Sequence, residues 1–228
     1  MCGDITVWRR GSAPSGRARG PSPHDTIKEM RIFIGIDLDP EVRARISRFL
    51  EGVQGFAPEA RWVHPESLHI TLKFIGEQAP DRVEALAERV RRIGCGALEI
   101  RCSEHGFFPT AKAPRVFWIG IHAGPQLAEL AESIDMATAE LGIPREDRPY
   151  SPHLTLARDG AGRSSGSPKW RKGDGPNSIF AALEKRLAAM TELDFGTMTA
   201  HEFILYQSQL SRGGSKYTKL QRFPLQQA

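Results

Sequence analysis

Two short stretches of this chain carry residue types that can move protons and hold anions. His69-Ile70-Thr71-Leu72 and His153-Leu154-Thr155-Leu156 repeat one pattern, 84 residues apart. In an extended strand alternate side chains share a face, so His69 points with Thr71 and His153 with Thr155. Ile70, Leu72, Leu154 and Leu156 then point into a core. Imidazole gives or takes a proton near neutral pH, and a Thr hydroxyl can donate to a non-bridging phosphate oxygen. One neutral and one protonated His, facing each other across a substrate, form an acid–base couple for in-line displacement. These residues alone do not fix which His holds which role. A single His-x-Thr in a strand is commonplace, because strands favour Thr and aliphatics. Two copies with matched spacers and a retained polar face favour a functional reading. A zinc site wants three or four His, Cys or carboxylate ligands, and neither motif brings such a set. No metal and no other cofactor is expected.

The elements that must carry these motifs are legible in outline. Arg31 to Leu38 reads as a short buried strand, and Asp39-Pro40-Glu41 opens a helix with a capping side chain and Pro at the first position. Val42, Ile46, Phe49, Leu50 and Val53 give that helix one apolar face. A strand over 68–75, a helix over 80–93, and strands over 97–102 and 115–122 follow. A helix over 125–141 stops at Gly142. The second motif strand spans 153–157, a helix spans 177–190, and strands over 200–209 and 216–223 are joined by a hairpin at Arg212-Gly213-Gly214. The antiparallel hairpins and short links predict an α+β fold rather than a doubly wound parallel sheet. Lys73 shares the strand face of His69 and Thr71, where it reads as a phosphate sensor or, equally, as a solvated or snorkelling lysine. His64, His105, His122 and His201 lack a Thr partner and read as surface or structural histidines. Phe74, Trp118 and Tyr206 read first as core aromatics, with base stacking as the functional alternative.

Composition bounds the rest. The chain has 228 residues, 40% hydrophobic and 25% charged, enough apolar content to exclude disorder over its whole length. No run approaches the roughly 18 apolar residues of a membrane span, so no membrane partner is expected. Lys and Arg number 31 against 27 Asp and Glu, a net +4 that permits an anionic partner without demanding one. Three cysteines without a C-x-x-C pair make a disulfide framework improbable and a cytoplasmic location the simplest reading. Residues 1–29, rich in Gly, Ser, Pro and Arg, read as a disordered basic tail of net +2, and 30–228 as one bilobal domain. The Gly/Ser-rich segment 159–177 reads as a solvated insertion or, more sharply, as a basic flap that touches an anionic substrate.

His-Ile-Thr-Leu-Lys-Phe-Ile-Gly-Glu (69–77) and Arg-Pro-Tyr-Ser-Pro-His-Leu-Thr-Leu-Ala-Arg (148–158) resemble the two signatures of the 2H phosphoesterase superfamily. The branch they most resemble is the RNA 2′,3′-cyclic phosphodiesterases, also called 2′-5′ RNA ligase-like proteins. Arg31 to Asp37, Ala60 to Val63, Pro114 to Trp118, Phe203 to Tyr206 and Tyr217 to Pro224 extend the resemblance across about 31–225. It implies a bilobal pseudo-twofold fold, with two antiparallel sheets flanked by helices around a central cleft. It also implies hydrolysis of an RNA 2′,3′-cyclic phosphate to a 2′-phosphate; separately, the chain is expected to be a monomer. Carried over by motif, His69 is the proton donor to the leaving 3′ oxygen and His153 the proton acceptor from water. Thr71, Thr155 and Arg158 are the phosphate-binding residues. The competing readings are a diesterase for a small nucleotide, 2′-5′ ligation by the same groups, and a non-catalytic module that binds RNA ends.

Overall fold

The computed structural model describes residues 29–110, 113–159, 178–211 and 214–225. The basic tail and nearly all of the Gly/Ser-rich segment 159–177 lie outside the described residues. β1 (Met30–Asp37) is the apolar run, with Ile32, Ile34 and Ile36 buried on one face. Asp39 caps α1 (Pro40–Val53): its carboxylate accepts from the Val42 N–H at 2.8 Å. Val42, Ile46, Leu50 and Val53 supply its buried stripe. Each such side chain contributes about 1.5–3 kcal/mol on burial.

The remaining elements follow in order: β2 (Arg61–Trp62), β3 (His69–Gln78), α2 (Pro80–Val90), β4 (Leu98–Phe108), β5 (Val116–Ala123), α3 (Pro125–Ala139), β6 (His153–Arg158), α4 (Ala181–Ala188), β7 (Asp194–Ala200), β8 (Glu202–Ser211) and β9 (Gly214–Pro224). Two antiparallel sheets result, in the orders β3-β1-β8-β9 and β2-β6-β5-β4-β7. The fold is α+β. Each motif strand pairs with the strand that opens its half of the chain, β3 with β1 and β6 with β5. The β8–β9 hairpin closes where the Arg-Gly-Gly turn predicts it, with Ser211 paired to Gly214.

The helices are exchanged between the sheets. α1 leaves β1 of the first sheet but packs on β7 of the second, where Arg45 donates to the Phe195 carbonyl at 3.1 Å. α3 leaves β5 of the second sheet but packs on β3 and α2. Buried side chains of both sheets therefore join one contiguous core. Two strands escaped the sequence reading. β2 has only two residues, and β7 is interrupted by Gly196 at φ +95°. The last predicted helix is shorter than expected, with a 3-10 turn over Ser178–Phe180 before α4. Among the described residues, no helix is long and apolar enough to cross a membrane.

Candidate active site

His69 and Thr71 are half-buried on β3 while Ile70 and Leu72 are buried, as alternation requires. His153 and Thr155 repeat this on β6, with Leu154 and Leu156 buried. The two strands then do the same unexpected thing. Thr71 pairs with Gly35 and Lys73 with Ile34, so Leu72 is an extra residue in the ladder. Thr155 pairs with Trp118 and Ala157 with Phe117, so Leu156 is the extra residue there. Such a bulge reverses the inside–outside alternation beyond it. Ala157 is buried and Arg158 turns to the face of His153 and Thr155; without the bulge, an odd spacing from His153 would aim it away.

The same reversal corrects the expectation for Lys73. It does not share the His69 face but is buried, with its ammonium on Asp135 at 2.6 Å and the Pro144 carbonyl at 2.7 Å. Phe74 takes the exposed position equivalent to Arg158 instead, at 53% relative exposure, and is not a core aromatic. Tyr206 is buried and Trp118 half-buried. Among the other histidines, His122 lies 3.6 Å from Glu104 and His105 packs against Phe117, while His64 and His201 are exposed.

Both motif imidazoles are oriented alike. His69 Nδ1 lies 2.8 Å from the Ser67 carbonyl, and His153 Nδ1 lies 2.8 Å from the Ser151 carbonyl. A carbonyl only accepts, so Nδ1 carries the hydrogen and Nε2 is the nitrogen left for substrate. Phe33, Tyr206 and Tyr217 surround the His69 ring at centroid distances of 4.6, 5.9 and 5.0 Å, and Phe108 meets the His153 ring edge-on at 5.0 Å. Burial lowers the His69 pKa to about 4; the Ser67 carbonyl and Asp37 oppose this, while Arg158 and His153 reinforce it. Burial and then Arg158 lower His153 too, against the pull of the Ser151 carbonyl. Arg158, on β6, thus depresses the proton affinity of both rings, one on each sheet. Its own pKa is lowered by desolvation, with Arg61 and Arg31 adding to the effect and Tyr217 opposing it.

Each orienting carbonyl belongs to a segment braced on the other half. The segment before His69 is stitched to β6: Arg61 and Trp62 pair with Arg158 and Ala157, and the Val63 N–H donates to the Leu156 carbonyl at 2.8 Å. The segment before His153 is stitched to β3, where the Tyr150 hydroxyl donates to the Thr71 carbonyl at 3.0 Å and Lys73 holds Pro144. Sequence reasoning missed Tyr150, Phe33, Tyr217 and Phe108. Only the odd-numbered face of β1, with Arg31, Phe33, Gly35 and Asp37, could have signalled a second polar–aromatic surface.

A LigT-like phosphoesterase model matches this chain twice, over residues 36–118 and 119–217, with one His-x-Thr strand in each match. The chain belongs to the LigT-like phosphoesterase family. An Escherichia coli K12 relative, named RNA 2′,3′-cyclic phosphodiesterase, is 31% identical over 199 residues, covering 86% of this chain and 97% of the relative. A Geobacillus stearothermophilus relative of the same name is 29% identical over 201 residues; they cover 87% of this chain but only 58% of that protein's length. The crystal structure of E. coli LigT complexed with 3′-AMP aligns at 28% identity and a TM-score of 0.66, over 88% of this chain and 100% of the other. Membership of the LigT-like family makes the chain a phosphoesterase, and its internal duplication accounts for two strands with the same bulge. Among the described residues, no three His, Cys, Asp or Glu side chains gather as a metal site.

Proposed function

We propose that this protein hydrolyses RNA 2′,3′-cyclic phosphate ends to 2′-phosphates without a metal. The observation that carries this reading is the matched pair of imidazoles, each held through Nδ1 by a carbonyl and both under the field of Arg158. The names of the relatives supply the substrate class. In this reading His153 Nε2 takes a proton from water as it attacks phosphorus. His69 Nε2 gives a proton to the 3′ oxygen as the P–O3′ bond breaks, leaving the phosphate on the 2′ oxygen. Thr71, Thr155 and Arg158 hold the non-bridging oxygens, where charge builds in the transition state.

The low proton affinity of both rings fits a site that charges on binding. In the free protein burial and Arg158 keep the imidazoles neutral at pH 7. An arriving phosphate anion offsets Arg158 and favours a proton on one ring. Asp37, paired with His69 in the β1–β3 register, biases that proton toward His69. The test is incubation of a cyclic-phosphate oligonucleotide with the protein in chelator, followed by assignment of the product phosphate. A 2′-phosphate is expected, and His69→Ala or His153→Ala should each lower kcat at least 100-fold. A chelator-sensitive reaction, a 3′-phosphate product, or near-native turnover by either variant sinks the reading.

A further inference from the structure

The cleft gathers more positive charge than one cyclic phosphate uses. Arg61 of β2 and Arg158 of β6 are direct partners in the antiparallel ladder, an arrangement in which like charges destabilise the pair. Arg31 lies at the start of β1, on the face that carries Phe33, and its charge also reaches Arg158. Arg61 is fixed beside Arg158 by donating Nε and Nη2 to the Asp159 carbonyl, at 3.2 and 3.0 Å. Neither Arg31 nor Arg158 forms an ion pair among the described residues, although Glu77 stands opposite Arg31 in the register. Arg61 is thus paired with Arg158 across the β2–β6 ladder, and Arg31, two residues from Phe33 on the β1 face that packs against His69, adds its charge at Arg158 from the other sheet.

A 2′,3′-cyclic phosphate carries one negative charge and two non-bridging oxygens. Thr71, Thr155 and Arg158 provide for both. Arg31 and Arg61 are then left for a second anion, and the next negative charge on an RNA chain is the phosphodiester that joins the terminal nucleotide to the rest.

We propose that Arg31 and Arg61 form a second phosphate subsite, which holds the phosphodiester linking the terminal nucleotide to the rest of an RNA chain. The substrate class is then a chain end rather than a mononucleotide. This rests on the cyclic phosphodiesterase reading above and specifies its substrate.

The experiment compares a nucleoside 2′,3′-cyclic monophosphate, which lacks that phosphodiester, with a trinucleotide ending in a 2′,3′-cyclic phosphate. Arg31→Ala and Arg61→Ala should each lower kcat/KM for the trinucleotide about tenfold, mainly through KM, as expected for loss of one charged phosphate contact. The mononucleotide should change less than about twofold. Each variant should also flatten the salt dependence of trinucleotide kcat/KM, by a log–log slope of about 0.7. Arg31→Lys and Arg61→Lys, which keep the charge, should recover most of the loss. Equal losses on both substrates that the Lys variants do not recover, or no loss on either, overturn the subsite. Wild-type protein that turns over neither substrate overturns the phosphodiesterase reading itself, a result distinct from failure of the subsite.

Discussion

At the scale of single residues, the site depends on how far two imidazoles are held from their ordinary proton affinity. His69 is brought to about 4, first by burial and then by Arg158, and His153 is lowered by the same two causes. In the proposed mechanism the productive form has one proton on the pair, and kcat/KM follows its population in the free protein. Both pKa values lie below 6.5, so that form accumulates as pH falls from 7 and is lost again once both rings are charged. The kcat/KM profile should be a bell with its maximum on the acid side of pH 6.5. Arg158→Gln removes a positive charge that depresses both rings, so both limbs should move to higher pH while kcat/KM itself falls. A bell centred above pH 7, or limbs that stay in place in the variant, would contradict this electrostatic account. Stability carries the same sign. An unfolded chain takes up a proton on His69 between pH 6.5 and about 4 and the native one does not, so folding stability declines across that window.

At the scale of elements, the first motif strand depends on close approach by the strand beside it, and β5, which flanks the second motif strand, approaches β4 as closely on its other side. A Cβ on Gly35 of β1 would lie 2.8 Å from the Ile70 carbonyl oxygen and 3.5 Å from His69 Cδ2, and one on Gly120 of β5 would lie 2.7 Å from the Ser103 carbonyl oxygen. Gly35→Ala should therefore cost about 1–3 kcal/mol in urea denaturation and lower kcat more than it raises KM, since the displaced strand carries His69. Unchanged stability and turnover would show that β1 can yield without cost. The His-x-Thr faces, the helix starts and the α+β class were legible in the sequence because alternation, caps and apolar stripes are local. The bulges at Leu72 and Leu156 were not, because register is set between strands. That one non-local feature turns Lys73 away from the His69 face and Arg158 toward the His153 face. Gly35 shows the same limit: its glycine is visible in the chain, but the carbonyl it must clear belongs to Ile70, on another strand.

At the scale of the whole molecule, what must be explained is how two half-sites from a duplicated chain stay in register with each other. The exchanged helices and the crossed pre-motif segments give the answer, and the Lys73–Asp135 pair is its most buried joint. Lys73 belongs to the first motif strand, Asp135 to α3, and Pro144 to the segment leading into His153. Burial alone would raise the Asp135 carboxyl, but hydrogen bonds from Arg145 and Lys73 and from the Glu146 N–H hold it below the usual range. Removing Lys73 takes away the buried partner of the Asp135 carboxylate and leaves it with Arg145, at 2.9 Å, and the Glu146 N–H, at 3.2 Å. Lys73→Met should thus destabilise the fold by about 1.5–3 kcal/mol, the loss of one charged hydrogen-bonded contact. Adding Asp135→Leu should restore part of that loss, because the buried carboxylate that Lys73 served is gone. Tyr150→Phe, which loses only the bond to the Thr71 carbonyl, should cost about 1 kcal/mol. If the brace positions His153, Tyr150→Phe should also lower kcat with little change in KM, a split that lost stability alone does not produce. A Lys73→Met variant as stable as the parent, or a Tyr150→Phe variant with native kcat, would mean that the half-sites are aligned by the shared core and not by these crossings.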